Sequence, residues 1–437
     1  MRLLRLLHPR VLALLAVAAP LAAQQDVRMG LARDPQLAAA IADISAAHIH
    51  ATDSVLASFG TRHAMSDTMS ATRGVGAARR WIHAQLEADS RACDGCLRVE
   101  YDPAMITIQR DPQKPTVNIV NVLAWLPGRD PKRVVVIGGH YDTCTCSTNS
   151  FDFTTNAPGA DDDGSGTSAV MELARVFSER FPHGLDATVI FALYSGEEMG
   201  LLGSIHLAER LKAEGYTVTA GMTDDMVGNV SAQDGSIDTT HVRLFGGDPD
   251  NGPSRELERY AWALDDVYAP GVTAFPVFRL DRIQRGGDHI PFWHEGAAGL
   301  RFSEMLENYT RQHSPRDVMA YVDFDYVAKI AKLNAAVVGA LAAAPPAPDS
   351  VTATRDRASG GYKWLLRWKP VPGATAYEVL VRRTTSPTWE HVMDVGNVTS
   401  YLLPDQLDNL WAGVRAVGAN GQRSLASVAP PPLFVSR

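Results

Sequence analysis

The sequence predicts an α/β protein, a mixed and mainly parallel sheet flanked by helices, followed by a small all-β sandwich. Between residues 97 and 340, continuous apolar runs such as RVVVIGG and ATVIFALY alternate with helical segments, the pattern of a sheet covered on both faces. The runs end in polar and charged residues, where such sheets keep their functional groups. Near Ala342 the texture changes to AAAPPAPDS, a Pro/Ala linker, and short strands follow. At 437 residues the chain is too long for one ordinary core, so two folded units are the default.

The first element is MRLLRLLHPRVLALLAVAAPLAAQQ. Arg2, Arg5 and Arg10 form a positive start, an uncharged run over 11–23 follows, and small residues precede Gln24. This reads as a secretory signal peptide over 1–23, too short for a bilayer core that needs roughly 20 apolar residues. The expectation is an exported protein, periplasmic or extracellular, without membrane insertion. A net charge of −8 and the absence of a basic run exclude nucleic acid as the main partner. In an oxidising compartment the four cysteines favour two local bridges, Cys93–Cys96 and Cys144–Cys146, although spacing alone does not fix the pairing.

Residues 24–90 carry apolar residues at helical spacing. Gly74-Val75-Gly76 lacks a preceding strand and a third glycine, so it is no dinucleotide loop. LRVEY, TVNIVNVLAWLPG and RVVVIGGHYD then read as strands, TSAVMELARVFSER as a helix, and DATVIFALYSGEE as another buried strand. The expected division is 24–342 for the α/β unit, 343–349 for the linker and 350–437 for the sandwich. The last segment, with Trp368, Tyr377, Trp411 and turns at Pro372-Gly373 and Asn420-Gly421, resembles a fibronectin type III domain. It offers contact with a cell surface or polymer and holds no catalytic cluster.

Chemistry concentrates in a few short stretches. PGADDDGSG puts three aspartates side by side, His140-Tyr141-Asp142 and Glu197-Glu198 each end an apolar run, and Asp288-His289 comes later. Like-charged carboxylates at the end of a buried strand repel and lose solvation unless a cation is present. A divalent metal answers that need.

In order, GGHYD, PGADDDGSG, YSGEEMGLLGS, TDDMVG and GGDHIPF resemble the motifs of the two-zinc aminopeptidases of metallopeptidase family twenty-eight, whose relatives include secreted bacterial aminopeptidases and glutamate carboxypeptidase. The resemblance covers about residues 40 to 340 and implies a zinc-peptidase fold, two Zn²⁺ ions and peptide substrates. It implies that His140 and Asp225 bind one zinc, Glu198 and His289 the other, and that Asp162 bridges them. Glu197 would be the general base. Asp142 would orient the His140 ring, with Asp288 doing the same for His289. A cis peptide between Asp162 and Asp163 is expected on the same ground. Three carboxylates against two Zn²⁺ leave a small net charge, which suits a buried catalytic site.

Competing motifs fail. HEGAA has alanine at position 298 where a zincin needs histidine, and no G-x-S-x-G elbow is present. Glutaminyl cyclase relatives use one zinc, whereas five two-metal ligand positions are filled here. The expected activity is a secreted zinc aminopeptidase, with a carboxypeptidase or dipeptidase as the alternative and a non-catalytic binding relative behind both. Arg282, Arg285 and Arg301 keep the carboxypeptidase reading open, since a guanidinium can hold a substrate carboxylate. Tyr309, in ENYTRQHSPRDV, is a candidate contact for the reaction intermediate.

Overall fold

The computed structural model describes residues 28–108, 114–146, 152–247 and 249–430; the expected signal peptide lies outside them. Three helices come first, Pro35–Ala42 (α1), Ala46–Ser58 (α2) and Gly74–Ala92 (α3). The Asp34 carboxylate accepts the Gln36 and Leu37 amides, satisfying donors that the first turn of α1 leaves unpaired.

The central sheet has eight strands: Arg98–Thr107 (β1), Thr116–Leu126 (β2), Asp130–His140 (β3), Ala187–Tyr194 (β4), Thr217–Asp224 (β5), His241–Gly246 (β6), Thr273–Pro276 (β7) and Ala298–Glu304 (β8). Their order is β1-β2-β4-β3-β5-β8-β6-β7. The central run β4-β3-β5-β8 is parallel throughout, while β1, β2 and β6 pair antiparallel with their inner neighbours. Alternation explains why the central strands are apolar at every position. Val135 and Ile137 of β3 point into one core, Val134 and Val136 into another. The larger core is closed by α1, α2, α3, Gly166–Arg180 (α4), Pro253–Tyr268 (α6) and Phe324–Ala343 (α8). The smaller is closed by Leu202–Ala213 (α5) and Ile290–His294 (α7). Helix α8 is apolar and long enough to span a membrane by composition, but it is a core helix, packed on α1, α2 and α6.

Beyond the linker lie Thr352–Arg355 (β9), Trp364–Arg367 (β10), Ala374–Arg383 (β11), His391–Gly396 (β12), Ser400–Leu403 (β13), Leu410–Gly418 (β14) and Ser427–Val428 (β15). They form a three-stranded sheet, β13-β10-β9, and a four-stranded sheet, β12-β11-β14-β15. Trp364, Leu366, Trp368, Tyr377, Val379 and Val414 fill the space between them. The outer face of the four-stranded sheet is also buried: Leu380, Trp389, Leu425 and Ala426 join the large core of the α/β unit. The linker composition suggests independent motion; the packing instead seats this unit on α6. Tyr260 donates to the Arg423 carbonyl oxygen at 2.9 Å, Trp389 Nε1 to Glu256 at 2.8 Å, and Arg382 to Asp250 at 2.8 Å. Both expected disulfides, Cys93–Cys96 and Cys144–Cys146, are formed.

Candidate metal centre

Four parallel strands deliver the acidic and histidine residues to one edge. His140 is the last residue of β3, Glu197 and Glu198 follow β4, and Asp225 follows β5. The loop after β8 carries His313, whose backbone is left-handed at φ 54°. Asp162 sits between β3 and α4, and its bond to Asp163 is cis as expected.

Asp162 faces two histidines. Its Oδ1 is 3.3 Å from His140 Nε2 and its Oδ2 is 3.0 Å from His313 Nε2. Asp225 Oδ1 lies 3.9 Å from His140 Nε2, and Glu198 Oε2 lies 3.3 Å from His313 Nε2. Two ligands of one tetrahedral zinc at 2.0–2.1 Å are about 3.3 Å apart. The four separations therefore suit two ions, His140 and Asp225 on one, His313 and Glu198 on the other, with one oxygen of Asp162 for each. The fit shows in unmet bonding as well: His140 Nε2 and Glu198 Oε1 are buried without a hydrogen-bond partner.

The surrounding loops are fixed by carboxylates bound to backbone. Asp142 Oδ1 accepts the amides of Gly196 at 2.8 Å and Glu197 at 3.2 Å. This corrects the expectation that its carboxylate orients the His140 ring. The group facing His140 Nδ1 is the Asp142 backbone carbonyl oxygen at 3.1 Å, while the carboxylate stands 3.8 Å off. Asp163 accepts the His140 amide at 3.0 Å and the Met226 amide at 3.2 Å, so the third aspartate joins β3 to β5. Asp317 accepts the Asp161 and Asp162 amides, both at 2.9 Å.

The second correction concerns His289. It is fully buried, its Nε2 lies 2.7 Å from the Leu280 carbonyl oxygen, and its nearest carboxylate is Asp281 at 3.9 Å. Its neighbour Asp288 binds the Ser204 hydroxyl instead. GGDHIPF enters α7, which packs against the sheet beside the site; the His289 Nε2 meets the Leu280 carbonyl oxygen, and its Nδ1 is buried without a hydrogen-bond partner. His313 fills the vacant place. No strand-end marker pointed to it in the sequence; in the structure Asp317 ties the same HSPRD loop to the Asp161-Asp162 backbone.

The charges also call for cations. Burial opposes the charged form of His313, yet Glu198 and Asp162 outweigh it and lift its pKa to about 9. Burial carries Glu198 to about 8 despite His313, with Asp162 adding to the rise. Burial also raises Glu197 well above the usual carboxylate range; His140 opposes this, while Asp225 and Glu198 reinforce it. For Asp225, burial is outweighed by Arg301 and His140, and its pKa is depressed. Arg301 Nη1 contacts Asp225 Oδ2 at 2.6 Å, leaving Oδ1 toward His140.

The comparisons with known proteins give the family. The model of the peptidase family M28 matches residues 121–338, which contain every residue just described. Over 426 residues the chain is 37% identical to a probable zinc metalloprotease of Pyrenophora teres f. teres, covering 90% of this chain and 86% of that one. The chain belongs to peptidase family M28. A probable zinc metalloprotease of Pyrenophora tritici-repentis, also 37% identical, matches 92% of this M28 chain and 99% of its own length. Matches that long cannot end before the C-terminal sheets. Among solved structures, the LapA aminopeptidase of Legionella pneumophila is similar in fold, with TM-score 0.56 and 23% identity over 70% of this chain and 75% of that one. This M28 chain is a zinc metallopeptidase with a mixed α/β fold.

Proposed function

We propose that the protein is an exported aminopeptidase with two co-catalytic zinc ions, removing N-terminal residues from peptides. The observation that carries the two-metal part is Asp162, one oxygen toward His140 and the other toward His313. His140 and Asp225 would hold one ion, Glu198 and His313 the other. When bound, the pair supplies a Lewis acid for the scissile carbonyl and lowers the pKa of water toward roughly 7.

Glu197 takes the proton of the attacking water and hands it to the departing amine. Its amide is held by Asp142, and its carboxylate lies within 4.8 Å of His140 and Asp225 ligand atoms, which puts the base beside the reacting centre. Arg301 takes the second oxygen of Asp225 and keeps that carboxylate one-sided.

The state of the arginines favours an aminopeptidase over a carboxypeptidase. Arg282 and Arg285 both bind Glu307, at 3.1 and 2.6 Å, and Arg301 is committed to Asp225. None of the three is an unpaired cation awaiting a substrate carboxylate. Tyr309 is 61% exposed with the Arg285 guanidinium 5.8 Å from its ring centre, so it belongs to the rim.

The test uses matched peptides, one blocked at its N-terminus and one at its C-terminus, with and without a chelator. Cleavage that requires a free amine and is lost on chelation supports the proposal. Cleavage that requires a free carboxylate overturns the aminopeptidase assignment and leaves the metallopeptidase intact.

A further inference from the structure

The chain leaving β3 runs Asp142-Thr143-Cys144-Thr145-Cys146, which brings a disulfide against the second metal position. Cys144 is buried, and its sulfur, a Glu198 carboxylate oxygen and a His313 ring nitrogen all lie within 4.8 Å of one another. Cys146 Sγ is 3.8 Å from Glu198 Oε2. Two donors on opposite sides of one zinc, a nitrogen or oxygen at 2.0 Å and a sulfur at 2.3 Å, are at most about 4.3 Å apart. Cys144 therefore stands beside the donors of the second metal position. While bridged, its sulfur carries no charge and its position is held by Cys146. As a thiolate it is among the preferred ligands of zinc.

We propose that Cys144 is a latent ligand of the second metal position, withheld from it by the bridge to Cys146. This rests on the two-metal reading above. The step is a thiol–disulfide exchange: a dithiol reduces the Cys144–Cys146 bond by two electrons, becomes a disulfide itself, and leaves two thiols on the protein. Cys144 then gives its proton to solvent as its sulfur binds the ion. A catalytic zinc keeps a position open for water or substrate, and a further protein ligand closes it. Reduction thus switches the peptidase off, and oxidation reopens it. The Cys93–Cys96 bridge, between α3 and β1, lies away from the metal residues and has no part in this.

The experiment loads the full-length protein with Co²⁺, removes unbound metal, and reduces it with a phosphine, because a dithiol would itself chelate the metal. The phosphine takes the oxygen of a water molecule to become a phosphine oxide while the bridge becomes two thiols. The expected result is a sulfur-to-cobalt charge-transfer band in the near ultraviolet. Peptide hydrolysis falls roughly tenfold or more, the scale of changes in a metal's surroundings. Both changes reverse when the bridge is re-formed with a small-molecule disulfide. Cys146→Ser should show the band without reductant, and Cys93→Ser/Cys96→Ser should respond as the parent does. Cys144→Ser/Cys146→Ser should show no band in either state. If the parent keeps its cobalt and gains the free thiols of Cys144 and Cys146 but develops no band, the proposal is overturned and the metal centre stands. A band that persists in Cys144→Ser/Cys146→Ser overturns it too. A protein that takes up no cobalt overturns the two-metal reading together with the proposal.

Discussion

At Asp142 one carboxylate accepts two amides from the loop that presents Glu197 and Glu198, so the proposed base and the proposed ligand are aimed from the neighbouring strand. In the proposed function, proton transfer and metal binding are thereby divided between adjacent side chains. Glu197→Gln should retain two metals by elemental analysis while kcat falls by roughly 10²–10⁴. The histidines give a sharper pair. His313→Ala should bind one metal fewer than the parent, whereas His289→Ala should bind the same number, since its ring meets the Leu280 carbonyl rather than the cluster. Equal stoichiometry in the two variants would contradict the assignment. The reason His289 misleads in the sequence is physical. Asp-His beside glycines reads as a ligand pair, but what selects the ligand is the loop that closes over the bridging aspartate. His140 and Glu198 were legible because each ends or follows an apolar strand, and Asp162 and Asp225 through the family motifs that contain them. His313 lies in a loop without such a marker.

Helix α6, PSRELERYAWALDDVY, carries charges through its first half, a composition usual on solvated faces. It is buried instead. Arg259 pairs with Glu256 at 2.7 Å, Arg255 with Glu258 at 3.2 Å, and Trp389 covers Glu256 from the far unit. Local sequence could not reveal this, because the covering residue is more than a hundred positions away. The central strands, by contrast, announce their burial on both faces through unbroken apolar runs. Burial lifts the pKa of Glu258 to about 7 even though the Phe278 amide and Arg255 oppose it. Its unfolded value is near 4.5, so folding favours the protonated form. That contribution is complete below pH 4.5 and disappears as pH rises through about 7. Glu258→Gln should flatten this dependence, with a Tm gain at pH 8 and little change at pH 4.5. The scale is at most about 3 kcal/mol. A variant whose Tm falls equally at both pH values would refute the sign.

At the scale of the molecule, the four-stranded sheet has one face in its own core and the other in that of the α/β unit. Removing residues 345–437 would expose that seam and strip Glu256 and Arg259 of partners, so the shortened chain should lose cooperative thermal unfolding or precipitate. Trp389→Ala is a milder probe. The side chain is 5% exposed and donates to Glu256, and truncation of such a residue costs about 3–5 kcal/mol, visible in chemical denaturation. A shortened chain that unfolds like the parent would contradict the docking.

One contact sets an order of events. The Arg415 guanidinium of β14 donates to the Met29 carbonyl oxygen, a pairing across 386 positions, and Arg415 is itself held by Glu378 of β11. The first described residues are thus anchored by a strand made 386 positions later. During synthesis the zinc-binding strands have all emerged before the guanidinium that secures Met29 exists. Met29 therefore stays without this partner until β14 has been made, a window in which trimming proteases can reach the chain ahead of α1.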